Sequence, residues 1–222
     1  MTDFSSLGLN PQLCRACDAL GYVTPSPIQE KAIPLMLQGH DVLGIAQTGT
    51  GKTAAYALPV LMRCKYAQGK SPRALILAPT RELVMQIHEV MVGLSVETDL
   101  RILALYGGLG PKTQIQTLEG GVDILVSTPG RFLELYRKDA IVVKELKMLI
   151  LDEADKMMDM GFMPQIREIL EKIPYKKRQN GLFSATFPEK VENLSHEFLE
   201  FPQKVEITRQ ATPASQVTQF VY

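Results

Sequence analysis

No sign of charge dominates this chain. Lys and Arg number 24, Asp and Glu 24, and the formal net charge is zero at pH 7. The global basic footprint of many nucleic-acid binders is missing, so any polyanion contact must come from a local arrangement. Long apolar runs are missing too: none approaches the roughly 18 residues that a membrane helix needs. The opening residues, Met1-Thr2-Asp3-Phe4-Ser5, lack the basic and apolar regions of a signal peptide. Cysteine is scarce. Cys14, Cys17 and Cys64 make an odd count that argues for a reducing compartment, and a cytoplasmic location is expected. Cys14 and Cys17 have the spacing of a redox or metal pair, but they follow Asn10-Pro11, a helix cap and first turn, and no second pair completes a zinc site. They read as ordinary helix-face residues. Repeats and low-complexity tracts are absent, and His40, His88 and His196 are scattered without a role.

What is present is apolar and ordered. Of 222 residues, 45% are hydrophobic, enough for one large α/β core rather than two small ones. Short apolar runs at 42–46, 74–78, 102–106, 122–127, 148–151 and 181–184 read as strands buried on both faces. Stretches with helical spacing at 53–63, 82–94, 131–137, 164–173 and 189–198 fall between most of them. Ser26-Pro27-Ile28-Gln29 has the form of a capping box with Pro at the first helical position. Such alternation predicts an α/β domain with a parallel sheet, right-handed crossovers and helices on both faces. Ligands of such sheets bind beyond the carboxyl ends of the strands. Every unusual motif lies in a loop that follows a strand, so all are expected along one edge.

Two of these loops suit a nucleoside triphosphate. Ala46-Gln47-Thr48-Gly49-Thr50-Gly51-Lys52-Thr53 resembles the general phosphate loop, with Ala46 where its first Gly would stand. Backbone N–H groups at the following helix start would hold phosphate oxygens, Lys52 would reach the β- and γ-phosphates, and Thr53 would ligate Mg²⁺. Asp152-Glu153-Ala154-Asp155 ends the apolar run 146–151. Asp152 is the expected Mg²⁺ partner, directly or through water, and Glu153 the base or orienter for the attacking water. Asp155 is expected to bond another loop, with Ser184 and Thr186 of Ser184-Ala185-Thr186 as candidates. Met157, Met158, Met160 and Met163 cluster behind the acids and are expected under the site. Gln29 offers one acceptor and two donors that can match an adenine edge, and Tyr22 could stack on the ring, although Gln29 also explains itself as a helix cap.

Three further loops suit a sugar–phosphate backbone. Pro79-Thr80-Arg81-Glu82, Gly107-Gly108 and Thr128-Pro129-Gly130-Arg131 offer N–H groups, hydroxyls and two arginines. None holds an aromatic platform or an Asn/Gln pair for reading bases, so the binding expected is indifferent to sequence. Helix caps and tight turns explain any one of them about as well.

Together these segments resemble the DEAD-box RNA helicase family, over essentially the whole chain, as the first of that family's two RecA-like domains. Gly21 to Gln29 is similar to the family's Q motif, with Phe4 as its upstream aromatic. Residues 46–53 are similar to motif I, which in this family often begins with Ala. Residues 79–83, 107–108 and 128–131 are similar to the RNA-contacting motifs, and 152–155 and 184–186 to motifs II and III. The compact sequence is reminiscent of the bacterial RhlE-like branch. The resemblance implies ATP or ADP with Mg²⁺ as ligands and RNA as partner. It also implies a monomer and an arginine finger from a second RecA-like domain whose motifs do not occur here.

The expected layout is a Q-motif region over 1–40, a RecA-like ATP-binding domain over 41–210, and a linker with the first strand of the second domain over 211–222. The function implied is the ATP-binding half of an RNA-stimulated ATPase that separates short duplexes only with its second domain. The alternative is an ATP-dependent RNA clamp with little unwinding. A transporter ATPase is disfavoured by the Q-like segment and the lack of an ABC-type signature.

Overall fold

The computed structural model describes residues 3–64, 69–108 and 110–208. The tail 209–222, expected as linker and strand, lies outside the described residues, as does Leu109. The strands are β1 (Val42–Ile45), β2 (Ala74–Leu77), β3 (Ile102–Leu105), β4 (Ile124–Ser127), β5 (Met148–Leu151), β6 (Gln179–Ser184) and β7 (Gln203–Glu206). They form one sheet in the order β3-β4-β2-β5-β6-β1-β7, and every pairing is parallel. This is the α/β, RecA-like architecture expected. The helices are α1 (Pro11–Ala19), α2 (Pro27–Leu37), α3 (Lys52–Arg63), α4 (Arg81–Leu94), α5 (Pro111–Glu119), α6 (Pro129–Arg137), α7 (Ala154–Asp159), α8 (Met163–Lys172) and α9 (Glu189–Phe198).

Strand side chains alternate between two cores. Ala74 and Ile76 of β2 face one core with Ile28, Ile33, Tyr56, Leu58, Val84 and Phe183. Leu75 and Leu77 face the other with Phe132, Met157, Ile166 and Leu194. Both faces being covered, the inner strands read as unbroken apolar runs. Phe4, Leu7, Leu9 and Leu13 join the first core, so the N-terminal segment is part of the same packed body. Gly44 of β1 pairs with Phe183 of β6, and a Cβ at position 44 would run into the Phe183 ring.

Three elements were not expected, each for a physical reason, while two were expected from their caps alone. The fragments α5 and α7 are short and mostly polar. β7 is an edge strand with only Val205 buried, which leaves no apolar run to see. α1 and α2 announce themselves only through their caps, Asn10 accepting from Leu13 N–H at 2.9 Å and the Ser26–Gln29 box.

The amino end of the sheet is closed by charge. Asp123, fully buried, receives Arg73 at 3.1 Å and Arg101 at 2.9 Å, and its Oδ2 also accepts the Arg101 backbone N–H at 2.9 Å. Asp41 accepts from the Asn180 N–H at 2.7 Å, the Asn180 side chain at 2.9 Å and the Glu200 N–H at 2.8 Å. The first cluster pins the entries of β2, β3 and β4, and the second those of β1, β6 and β7.

Candidate functional site

The strand order sorts the carboxyl edge into two halves. β5, β6 and β1 are neighbours, and the acids, the 184–186 segment and the phosphate loop follow them. β3, β4 and β2 are neighbours on the other side, and the three backbone-contact loops follow those.

In the first half, the chain leaves β1 at Ala46. Ala46 N–H still bonds the Ser184 carbonyl at 3.0 Å and its side chain lies in the core, so position 46 continues the strand and tolerates a methyl group. Gly49 and Gly51 then take left-handed backbone, φ 81° and 89°, which an L side chain adopts only with strain. Gly51 has a second constraint, because a Cβ there would strike the Gln29 amide. Thr50 Oγ1 donates to the Gln47 carbonyl at 2.6 Å and closes the turn. α3 opens at Lys52 with its first N–H groups unpaired by the helix, the arrangement that attracts anions. Lys52 is buried, its Nζ donating to the Ala46 carbonyl at 2.6 Å.

Asp152 sits where β5 surfaces, 2% exposed. Its Oδ2 accepts from the Tyr56 hydroxyl at 2.7 Å and its Oδ1 from the Glu153 N–H at 2.9 Å. Burial pushes its pKa up, against the Tyr56 bond and the Lys52 charge, which pull it down. Burial, joined by the Asp152 charge, holds the Tyr56 hydroxyl far above the usual phenol range. Glu153 adopts left-handed backbone, φ 51° and ψ 52°, and caps α7. That turn carries its carboxylate to within 3.6 Å of Lys156. Asp155 accepts from the Thr186 N–H at 2.9 Å and hydroxyl at 2.8 Å, and its own N–H donates to Ser184 Oγ at 3.2 Å. Burial raises the Asp155 pKa, but these bonds outweigh it and leave it below the usual range.

The loop 46–53 and the first two acids share a cleft of about 420 Å³ lined by Tyr22, Gln29, Thr48, Gly49, Gly51, Lys52, Thr53, Asp152 and Glu153; Asp155, Ser184 and Thr186 lie outside it. Leu83, Gln86 and Val90 of α4 also line it; the sequence placed Leu83 with the RNA-contacting segments and gave Gln86 and Val90 no role. Gln29 is spoken for on both ends: Oε1 accepts from Ser26 N–H at 2.9 Å, and Nε2 donates to the Gly51 carbonyl at 3.1 Å. One N–H remains. A larger depression of about 560 Å³, around Tyr136, Ile141 and Lys172, holds none of the motif residues. Met157, Met158, Met160 and Met163 follow the acids in the chain. None lines the cleft; Met157 and Met158 pack in the α6–α9 core and Met160 is half exposed.

In the second half, Tyr106 ties the loops together. Arg81 lies over its ring at 4.8 Å, and its carbonyl accepts from Arg131 Nε at 3.0 Å and Gln114 Nε2 at 3.2 Å. Thr80 Oγ1 caps α4 by accepting from Leu83 N–H at 3.3 Å, and Thr128 and Pro129 start α6. The two arginines differ. Arg81 is exposed, whereas Arg131 is buried and turned onto Tyr106 and Glu134, so its guanidinium works inside the domain. Gly107, Gly108 and Gly130 are exposed.

Elsewhere, Cys14 and Cys17 are free thiols of α1, and burial pushes Cys17 up to about 12. Among the described residues no group of three or more His, Cys, Asp or Glu could cage a metal, and no helix is long and apolar enough to cross a membrane.

Residues 26–194 match the model of a family described as DEAD/DEAH box helicase. The chain is 43% identical over 217 residues to the ATP-dependent RNA helicase DeaD of Buchnera aphidicola subsp. Schizaphis graminum, covering 97% of this chain and 36% of that protein. It is 42% identical over 219 residues to the DeaD of Escherichia coli K12, covering 98% and 34%. It is 40% identical over 220 residues to the ATP-dependent RNA helicase CshA of Listeria monocytogenes, covering 99% and 42%. The chain thus spans well under half the length of the curated relatives it matches.

Proposed function

The chain belongs to the DEAD-box RNA helicase family, and on that premise we propose that it is the ATP-binding half of an ATP-dependent RNA helicase. One observation carries the reading. An open helix start with a buried lysine and a strand-end carboxylate meet in a single cleft that Tyr22 and Gln29 also line.

In this reading the backbone of Gln47 to Gly51 and the start of α3 cradle the phosphates, and Lys52 swings from the Ala46 carbonyl to the β- and γ-phosphates. Thr53 and Asp152 offer a hydroxyl and a carboxylate, hard oxygen donors of the kind Mg²⁺ takes alongside substrate phosphates and water. A bound Mg²⁺ neutralises charge that develops on the phosphates. Glu153 orients the attacking water and accepts its proton. Tyr22 stacks on adenine, and the remaining Gln29 N–H meets its edge. Asp155, Ser184 and Thr186 couple the acids to the rest of the machine.

On the other half of the edge, Pro79, Thr80, Arg81, Gly107, Gly108, Thr128, Pro129 and Gly130 follow the RNA backbone. Arg131 shapes their loops through the Tyr106 carbonyl. Hydrolysis and duplex separation need a second RecA-like domain. Lys52 is the one cation among the described residues lining the cleft, and an arginine finger contributes about 10³–10⁵ in rate in comparable sites. The protein acts as a monomer. An RhlE-like branch remains an expectation from the compact sequence; the relatives named above carry the names DeaD and CshA.

The test is a titration of a fluorescent ADP analogue. Lys52→Ala should lose about ten- to a hundredfold in affinity, since a charge-assisted bond contributes about 1.5–3 kcal/mol. Glu153→Gln should keep affinity yet abolish RNA-stimulated hydrolysis once a second domain is attached. Unchanged affinity in Lys52→Ala would overturn the site.

A further inference from the structure

Tyr56 belongs to none of the motifs above, yet it is the residue on which Asp152 rests. It is completely buried in α3, four positions after Lys52 and three after Thr53. A buried tyrosine normally finds a partner for its hydroxyl, and here that partner is Asp152 Oδ2 at 2.7 Å. The phenol thus touches the carboxylate assigned to Mg²⁺, from a position one helical turn after Thr53.

Its position is fixed from behind. The Tyr56 and Phe183 rings meet at 5.1 Å with a 52° tilt. Phe183 in turn lies against Gly44, where a Cβ would collide with it. From β1 through β6 to α3, packing leaves the phenol little freedom to move. Tyr56 does not line the cleft, so it meets neither nucleotide nor water there.

We propose that Tyr56 is a positioning residue for the metal side of the site. Its hydroxyl occupies one oxygen of Asp152 and sets the rotamer that aims the carboxylate at Mg²⁺ beside Thr53. This rests on the reading of Asp152 and Thr53 as the metal-facing pair. A phenylalanine would fill the same space but leave Asp152 free to turn. Groups that orient a metal ligand from outside typically contribute about 10- to 100-fold in metal affinity.

The test is Mg²⁺ dependence of fluorescent ADP binding, measured on this chain at rising Mg²⁺ and again in EDTA. In Tyr56→Phe the Mg²⁺ concentration for half-maximal enhancement should rise about tenfold, while affinity in EDTA stays at the wild-type value. A general loss of structure would lower both. Phe183→Leu keeps the hydroxyl but removes its brace, and should shift the Mg²⁺ requirement the same way by less. Asp152→Asn is the reference. If it leaves the Mg²⁺ requirement unchanged, the assignment of Asp152 itself fails and Tyr56 falls with it. If Asp152→Asn shifts the requirement and neither Tyr56→Phe nor Phe183→Leu does, Tyr56 is only core.

Discussion

Each end of the sheet buries an aspartate, and the two are treated oppositely. At the amino end, Asp123 is fully enclosed between Arg73 and Arg101. At the carboxyl end, Asp152 is almost as buried but bonds a phenol and an N–H, with its pKa raised by burial. The first has its countercharge built in and is a fixture. The second has no ion pair of that kind: burial raises its pKa, and a phenol, an N–H and the nearby Lys52 charge only partly offset that. Completeness of partners, rather than burial, separates these two acids.

The comparison can be broken at either end. The largest effect is expected from Asp123→Ala, which strands Arg73 without its carboxylate. Urea denaturation should show a loss of about 3–5 kcal/mol; a loss under about 1 kcal/mol would mean that the cluster is decoration. Gln29→Ala tests the other end at intermediate size. With the base-facing N–H removed, preference for ADP over GDP in calorimetry should narrow by up to about tenfold, the reach of one hydrogen bond. Equal ADP and GDP affinity in the unmodified chain would return Gln29 to helix capping alone. The smallest effect is expected from Asp152→Asn. A carboxyl whose folded pKa is raised destabilises the fold above that pKa, and the cost fades as pH falls or as an amide replaces it. The variant should therefore unfold within about 1 kcal/mol of wild type, or later. A large destabilisation would place Asp152 in the same class as Asp123.

Much of this was legible in the residues. Buried parallel strands print their positions as apolar runs, and a loop after such a run can be assigned to the carboxyl edge before any coordinates. That is how Lys52, Thr53, Asp152 and Glu153 could be put in one neighbourhood. Strand order is not printed, because pairing partners are chosen by crossover packing; hence the division of the edge into two halves was invisible. Arg81 and Arg131 looked alike as arginines in loops that follow strands, and only the fold shows one outside and one turned inward. Tyr56 was readable in principle, as a lone hydroxyl inside the apolar helix 54–61 that had to bond something. The Asp123 and Asp41 clusters were not, since their partners lie up to 159 positions away in the chain.

At the middle of the sheet, β2 and β5 run side by side, and the Asp152 N–H hangs on the Leu77 carbonyl at 2.9 Å. Leu77 is the last residue of the strand that leads to Thr80 and Arg81. The seam between the two halves is therefore an ordinary parallel ladder whose last rung is this bond, with strands about 4.8 Å apart. The two banks thus touch directly, through backbone, with no side chain in between.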